Sequence, residues 1–238
     1  MIGMGAFLAA VGAGLAMGIS AMGSGIGVGI TGAAGAGVVA EKQEFFSKGL
    51  IFSALPQTQA IYGFVTAIFI LIGTGLLGGG AADIPVSVGL VAVGCGLAVG
   101  FAGLSAIGQG IAASSSIGAV AEKPEMFGKG LMFSALPETQ AIYGLVVAIL
   151  LMQFAGIFAK TFTIDINQGM AVIGAGLAIG IAGLSAIGQG ITCSAAIGAT
   201  TRNPEAVGRG LMFAIMSETF AIFGLVIALL IMFGVELM

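Results

Sequence analysis

The segment "FSALPETQAIYG" (133–144) sets a carboxylate, Glu138, directly after a proline in a run that is otherwise apolar. Between Lys129 and Lys160 the only other ionisable acid or base is Tyr143. The segment is written three times: "FSALPQTQAIYG" (52–63) and "FAIMSETFAIFG" (213–224) are its other copies, at steps of 81 and 80 residues. A second mark repeats in step, as "SGIGVGI" (24–30), "SAIGQGI" (105–111) and "SAIGQGI" (185–191). Two marks at a fixed separation within one period define a repeated supersecondary unit.

The composition says what that unit is made of. With 58% hydrophobic residues, 7% charged residues, 43 glycines in 238 residues and a mean hydropathy of +1.18, the chain is neither a soluble globular domain nor disordered. A helix needs about 20 apolar residues to cross the hydrocarbon. Runs longer than that recur six times, predicting helices near 4–40, 46–78, 86–121, 125–159, 167–201 and 205–236. The predicted fold class is an all-α integral membrane protein: six transmembrane helices as three tandem helical hairpins, 1–81, 82–162 and 163–238, assembling into an oligomeric ring.

The ring follows from the parity of the repeat. Two crossings per unit give every copy the same orientation, so the repeats are direct, unlike the inverted repeats that frame many secondary-transporter sites. Direct hairpins sit side by side about an axis normal to the membrane, and several chains close a ring through heterologous contacts. Small residues four apart on each first helix, Gly14 and Gly18, Gly96 and Gly100, Gly176 and Gly180, belong on the crowded inner circle.

Six of the seven basic residues lie in "EKQEFFSK" (41–48), "EKPEMFGK" (122–129) and "TRNPEAVGR" (201–209); only Lys160 lies in the other loops, "GGGAADIP" (78–85) and "KTFTIDIN" (160–167). Positive residues stay inside. A multi-pass protein of the cell membrane is expected, with loops 41–48, 122–129 and 201–209 cytoplasmic and both termini outside. Pro124 and Pro204 fall where a helix restarts, a position that needs no amide donor. The N-terminus carries no basic region before its apolar stretch, so a cleaved secretory signal is not expected.

Several functions are excluded. Without a histidine there is no His-ligated metal site and no His-dependent triad. A net charge of −3 offers no basic patch for nucleic acid. The run "GSGIGVG" (23–29) lies inside a span with no preceding strand, and no G-x-x-x-x-G-K-[ST] occurs, so no nucleotide loop or other organic cofactor site is read. Cys95 and Cys193 fall at opposite ends of their helices when the repeat is superposed, so packing rather than a disulfide is expected.

The differences between copies locate the chemistry. Copies two and three carry Glu138 and Glu218 with Gln109 and Gln189; copy one has Gln57 and Val28 at those places. Copies one and two carry Leu55, Pro56, Thr58, Gln59 and Tyr62, and Leu136, Pro137, Thr139, Gln140 and Tyr143; copy three has Met216, Ser217, Thr219, Phe220 and Phe223. The two sets are offset by one hairpin. A site shared between neighbouring hairpins explains the offset. One site then joins Leu55, Thr58 and Gln59 to Gln109 and Glu138, and a second joins Leu136, Thr139 and Gln140 to Gln189 and Glu218. The third junction, to the next chain, would face Phe220 and Phe223 with Val28 and Gln57.

A charge near the bilayer centre costs roughly 2.5 to 3.5 kcal/mol on insertion scales, so each acid needs a partner. The ligands on offer are all oxygens, and Pro56 and Pro137 free backbone carbonyls in the preceding turn. Soft metals would call for thiolate or imidazole. One carboxylate with several neutral oxygens suits a monovalent cation, Na+ first; H+ would also neutralise the acid but would not require so many oxygens. Tyr62 and Tyr143 read either as donors to the carboxylate or as interface anchors.

The paired marks "SAIGQG" and "LPxTQAIYG/SETFAIFG" resemble the proteolipid of the rotary V-type and archaeal A-type ATPases, the subunit known as c or K, across all 238 residues. The resemblance implies a non-catalytic rotor-ring subunit, not an enzyme in itself. Glu138 and Glu218 would carry the coupling ion, Na+ or H+, from one half-channel of a stator membrane subunit round through lipid to another. A central-stalk subunit would transmit rotation to a soluble head that makes or hydrolyses ATP. The sodium-translocating members are similar in using a leucine carbonyl, threonine and glutamine from one hairpin with glutamine and glutamate from the next. Three hairpins, with Gln57 and Val28 in the first, depart from the usual pattern and lower the ions carried per turn. The loop residues Glu41, Lys42, Glu122, Lys123 and Arg202 read as solvated charge and helix capping, or as a stalk contact. A stand-alone secondary ion transporter or channel is the alternative reading.

Overall fold

The computed structural model describes residues 3–78 and 84–238, so most of the "GGGAADIP" loop lies outside the described residues. Among the described residues, six helices are long and apolar enough to cross a membrane: α1 Met4–Glu41, α2 Gln43–Gly73, α3 Val86–Glu122, α4 Pro124–Phe154, α5 Ile166–Arg202 and α6 Pro204–Gly234. Pro124 and Pro204 start short 3-10 turns that open α4 and α6, and Asp165 opens α5 with a reciprocal capping box to Gln168.

Two helices stop earlier than hydropathy suggests, α2 at Gly73 rather than 78 and α4 at Phe154 rather than 159. Gly156, at φ 72°, ends α4 in a left-handed cap in which its amide bonds Gln153 O at 3.1 Å and the Ile157 amide bonds Met152 O at 2.9 Å. Gly75 takes a similar φ of 73° after α2. The caps are themselves apolar, and a hydropathy profile has no way to separate them from helix.

The first helices of the hairpins form one row, α1 packing along α3 and α3 along α5, while α2 and α4 touch each other far less. Missing side chains set that closeness. A Cβ at Gly96 would collide with the Gly12 carbonyl, and one at Gly176 with the Gly94 carbonyl; at Gly100 it would lie 2.7 Å from Leu15 O. Gly14 and Gly18, expected on the same crowded face, have nothing within 4 Å of such an atom. They lie on the edge of the row, where no earlier hairpin exists within the chain.

The helix backbones also differ from copy to copy. Pro56 and Pro137 tighten Leu55–Gln57 and Leu136–Glu138 into 3-10 turns, whereas α6, with Ser217 in that place, is regular from Val207 to Gly234. In α3 a second break follows Ala102, where the amides of Leu104, Ala106 and Ile107 bond Phe101 O, Gly103 O and Leu104 O at 3.0–3.2 Å. The same break follows Ala182 in α5, and α1 has none. The sequence shows why: "SAMGS" (20–24) in copy one becomes "AGLS" (102–105) and "AGLS" (182–185), one residue shorter. Tightening about five residues from about 100° to 120° each recovers the turn of the missing residue, which keeps Gln109 and Gln189 on the correct face.

Candidate functional site

At the junction of the first two hairpins, four polar side chains from three helices meet. Gln59 Nε2 donates to Gln109 Oε1 at 2.7 Å, and Gln109 Nε2 donates to Glu138 Oε2 at 3.2 Å. Tyr62 donates its hydroxyl to Glu138 Oε1 at 2.7 Å. Both glutamines are fully buried, and Glu138 is half-buried. The same chain of bonds recurs one hairpin on: Gln140 to Gln189 at 2.8 Å, Gln189 to Glu218 at 3.3 Å, and Tyr143 to Glu218 at 2.7 Å.

The proline turn supplies the other oxygens. Thr58 Oγ1 lies 3.0 Å from Leu55 O and 3.0 Å from Gln59 Oε1, and Thr139 Oγ1 lies 3.0 Å from Leu136 O and 3.2 Å from Gln140 Oε1. A hydroxyl has one proton to give. That proton faces two acceptors, and the Leu55 and Leu136 carbonyls also accept from the Thr58 and Thr139 amides, so three lone-pair-bearing oxygens gather in a triangle beside a carboxylate whose two oxygens both accept. Among the described residues no three His, Cys, Asp or Glu side chains gather, so the charge at each place is that of one acid. The donor set fits one small monovalent cation: one negative charge, neutral oxygens, no soft ligand.

Copy three keeps only a remnant, Thr219 Oγ1 on Met216 O at 2.9 Å. Phe220 and Phe223 stand exposed on its edge, and at the opposite edge of the chain Val28 and Gln57 border an open cavity of about 470 Å³. Sequence reasoning left the tyrosines between two roles, and the structure puts both hydroxyls on the acids. It missed the direct amide-to-amide bonds, since nothing in a sequence fixes the rotamer of a glutamine. It also left the loop lysines between capping and stalk contact; Lys42 Nζ donates to Ala121 O at 2.6 Å and Lys123 Nζ to Thr201 O, each closing the end of the next hairpin's first helix. Cys95 and Cys193 are buried and free.

The family model for the C subunit of ATP synthase matches three times, over residues 11–70, 93–151 and 173–231. The chain belongs to the ATP synthase C-subunit family. It is similar to the K subunit of the A-type ATP synthase of Methanocaldococcus jannaschii, 56% identical over 232 residues that cover 96% of this chain and 97% of that one. It is also similar to the K subunit of the V-type sodium ATPase of Enterococcus hirae, 42% identical over 122 residues, 51% of this chain and 74% of that one. A third relative is the 16 kDa proteolipid of the V-type proton ATPase of Nephrops norvegicus, 32% identical over 128 residues, 53% of this chain and 76% of that one. Within this member of the family, the three matched stretches each hold one copy of both sequence marks, and the two bonded clusters lie between successive matches.

Proposed function

We propose that this rotor-ring proteolipid carries Na+ at two places per chain, on Glu138 and on Glu218, each completed by the Leu-Pro-x-Thr-Gln turn of the preceding hairpin. The observation that carries the reading is the pair of oxygen triangles at Thr58 and Thr139, in which a leucine carbonyl, a threonine hydroxyl and a glutamine oxygen converge, each beside a carboxylate with both oxygens accepting. A proton would need only the acid. A cation uses the whole cluster, and the name of the Enterococcus hirae relative, a sodium ATPase subunit, points the same way.

Bound Na+ turns each cluster neutral, so that it passes through lipid at far lower cost than a bare carboxylate. In the rotor, a stator half-channel loads an emptied glutamate, the ring turns, and a second half-channel unloads it. The Tyr62 and Tyr143 hydroxyls and the Gln109 and Gln189 amides hold the acids in the orientation that faces the bound ion. The basic loops face the cytoplasm and the stalk, with both termini outside. Catalysis on ATP belongs to other subunits.

A ring of n chains would then carry twice n ions per turn from three times n hairpins. Each ion moving down 100 mV yields about 2.3 kcal/mol, so losing one acid in three lowers the drive per turn and favours pumping over synthesis. Carbodiimide labelling tests the site: Glu138 and Glu218 are expected to react, and Na+ to protect both. Labelling that no Na+ concentration suppresses would replace Na+ by H+.

A further inference from the structure

Phe52, Phe133 and Phe213 hold one position in the three copies, yet the first two are fully buried and the third is 65% exposed. The Phe52 ring packs edge-on against Phe127, with centroids 5.7 Å apart, and its tip lies 3.2 Å from where a Cβ on Gly130 would be. The Phe133 ring meets Gly210 of the third hairpin in the same way, at 3.4 Å. The first two hairpins thus each plug a phenylalanine into a cup whose floor is a glycine of the next. The first hairpin has that cup too, at Gly49 with Phe46 on its wall, and there it is an open cavity of about 920 Å³. Gly35 replaces Ser116 behind it, which deepens the cup.

The polar ties follow a different pattern. Both junctions inside the chain have a lysine capping the neighbouring helix, a glutamine pair and a tyrosine-to-glutamate bond. On the free edge of the third hairpin the lysine position is Asn203, which turns back to accept from the Glu205 amide at 3.1 Å. Its glutamine and tyrosine positions are Phe220 and Phe223, and the opposing edge offers Val28 and Gln57. Helix breaks are missing from both faces, since α1 and α6 are the regular helices. The glycine edge is kept: Gly14 and Gly18 are uncovered on one side and Gly174 meets only Ile231 of its own chain on the other.

We propose that two copies of this chain join through a second kind of hairpin junction, in which Phe213 of one copy fills the Gly35–Gly49 cup of the next and no ion bridges the chains. The occupant is a second copy because the empty cup and the exposed plug are related by the same one-hairpin step that joins filled cup and buried plug twice within the chain. With neither acid nor lysine cap at this seam, ring closure rests on apolar burial and helix packing alone. The ion ties hairpins only within a chain. This inference rests on the ring and the two sites proposed above.

The test uses full-length rings in mild detergent, heated in NaCl or in choline chloride of equal ionic strength, with ring and single chain separated by native mass spectrometry. The ring-to-chain midpoint is expected to be the same in both salts, and a sodium-dependent midpoint would overturn the proposal. Phe213→Ala, at an exposed position, is expected to release helical single chains at lower temperature. Those chains should still show sodium protection of Glu138 and Glu218, because both sites lie within one chain. Gly49→Leu, which partly fills the cup from the other side, should act like Phe213→Ala. Rings of both variants as stable as the parent, or released chains without protection where the parent ring has it, would overturn the seam. If the parent ring itself shows no sodium protection, it is the sodium reading that fails, and the seam is then decided by Phe213→Ala and Gly49→Leu, neither of which involves the ion.

Discussion

Tyr62 of the first hairpin donates its hydroxyl to Glu138 of the second at 2.7 Å, although the two are separated by 76 residues. The acid is therefore held by a group its own hairpin does not own. Hydrogen bonds to charged groups contribute about 1.5–3 kcal/mol each. Tyr62→Phe is expected to raise the Na+ concentration for half-protection of Glu138 by about tenfold or more, a factor that about 1.4 kcal/mol provides. Glu218, bonded to Tyr143, should be unaffected; peptide-resolved carbodiimide labelling reads the two acids separately.

Gln109 links the Gln59 amide to the carboxylate. Gln109→Val, which copies Val28, leaves Gln59 without its partner in a fully buried place, at about 1–3 kcal/mol. The expected result is loss of sodium protection at Glu138, with Glu218 still protected and the ring still assembled. Equal loss at both acids would mean that the sites are not independent.

Restoring the acid of copy one is expected not to restore a site. Gln57→Glu places a carboxylate on an exposed edge whose neighbours in the ring would be Thr219, Phe220 and Phe223, without the glutamine oxygens or the tyrosine hydroxyl of the other junctions. The new acid should label with carbodiimide and gain no protection from Na+. Protection there would show that a carboxylate with the threonine remnant suffices and that the glutamine oxygens are dispensable.

Lys123 caps the end of α5 through Thr201 O from outside the ion clusters. A cation at a helix C-terminus contributes about 0.3–1 kcal/mol near the surface. Lys123→Met should lower the unfolding temperature of the chain by a few degrees at most and leave sodium protection unchanged. High salt should shrink the difference between parent and variant, because the interaction is screened.

Some of this architecture was legible from the chain alone because it depends on composition and order. Six apolar runs fix six crossings, direct repetition fixes parallel hairpins, and the joint loss of Glu and Gln in copy one against Pro, Gln and Tyr in copy three points to pairing between hairpins. Other features escaped because they depend on geometry. Gly156 ends α4 inside an apolar run, so hydropathy overshoots it. The residue missing between Ala102 and Ser105 reads as a trivial gap until the backbone tightens into a 3-10 turn to absorb it.

Composition and residue order alone specify a membrane-spanning set of three like hairpins and name the side chains that differ among them, since bilayer thickness and side-chain polarity act locally along the chain. Which atoms of those side chains meet emerges from packing in three dimensions: Tyr62 reaches Glu138, Gln59 bonds Gln109, and Phe213 is left standing where Phe52 and Phe133 are buried. Those outcomes depend on rotamers and on a one-hairpin offset in packing, and both are fixed by neighbours distant in the chain.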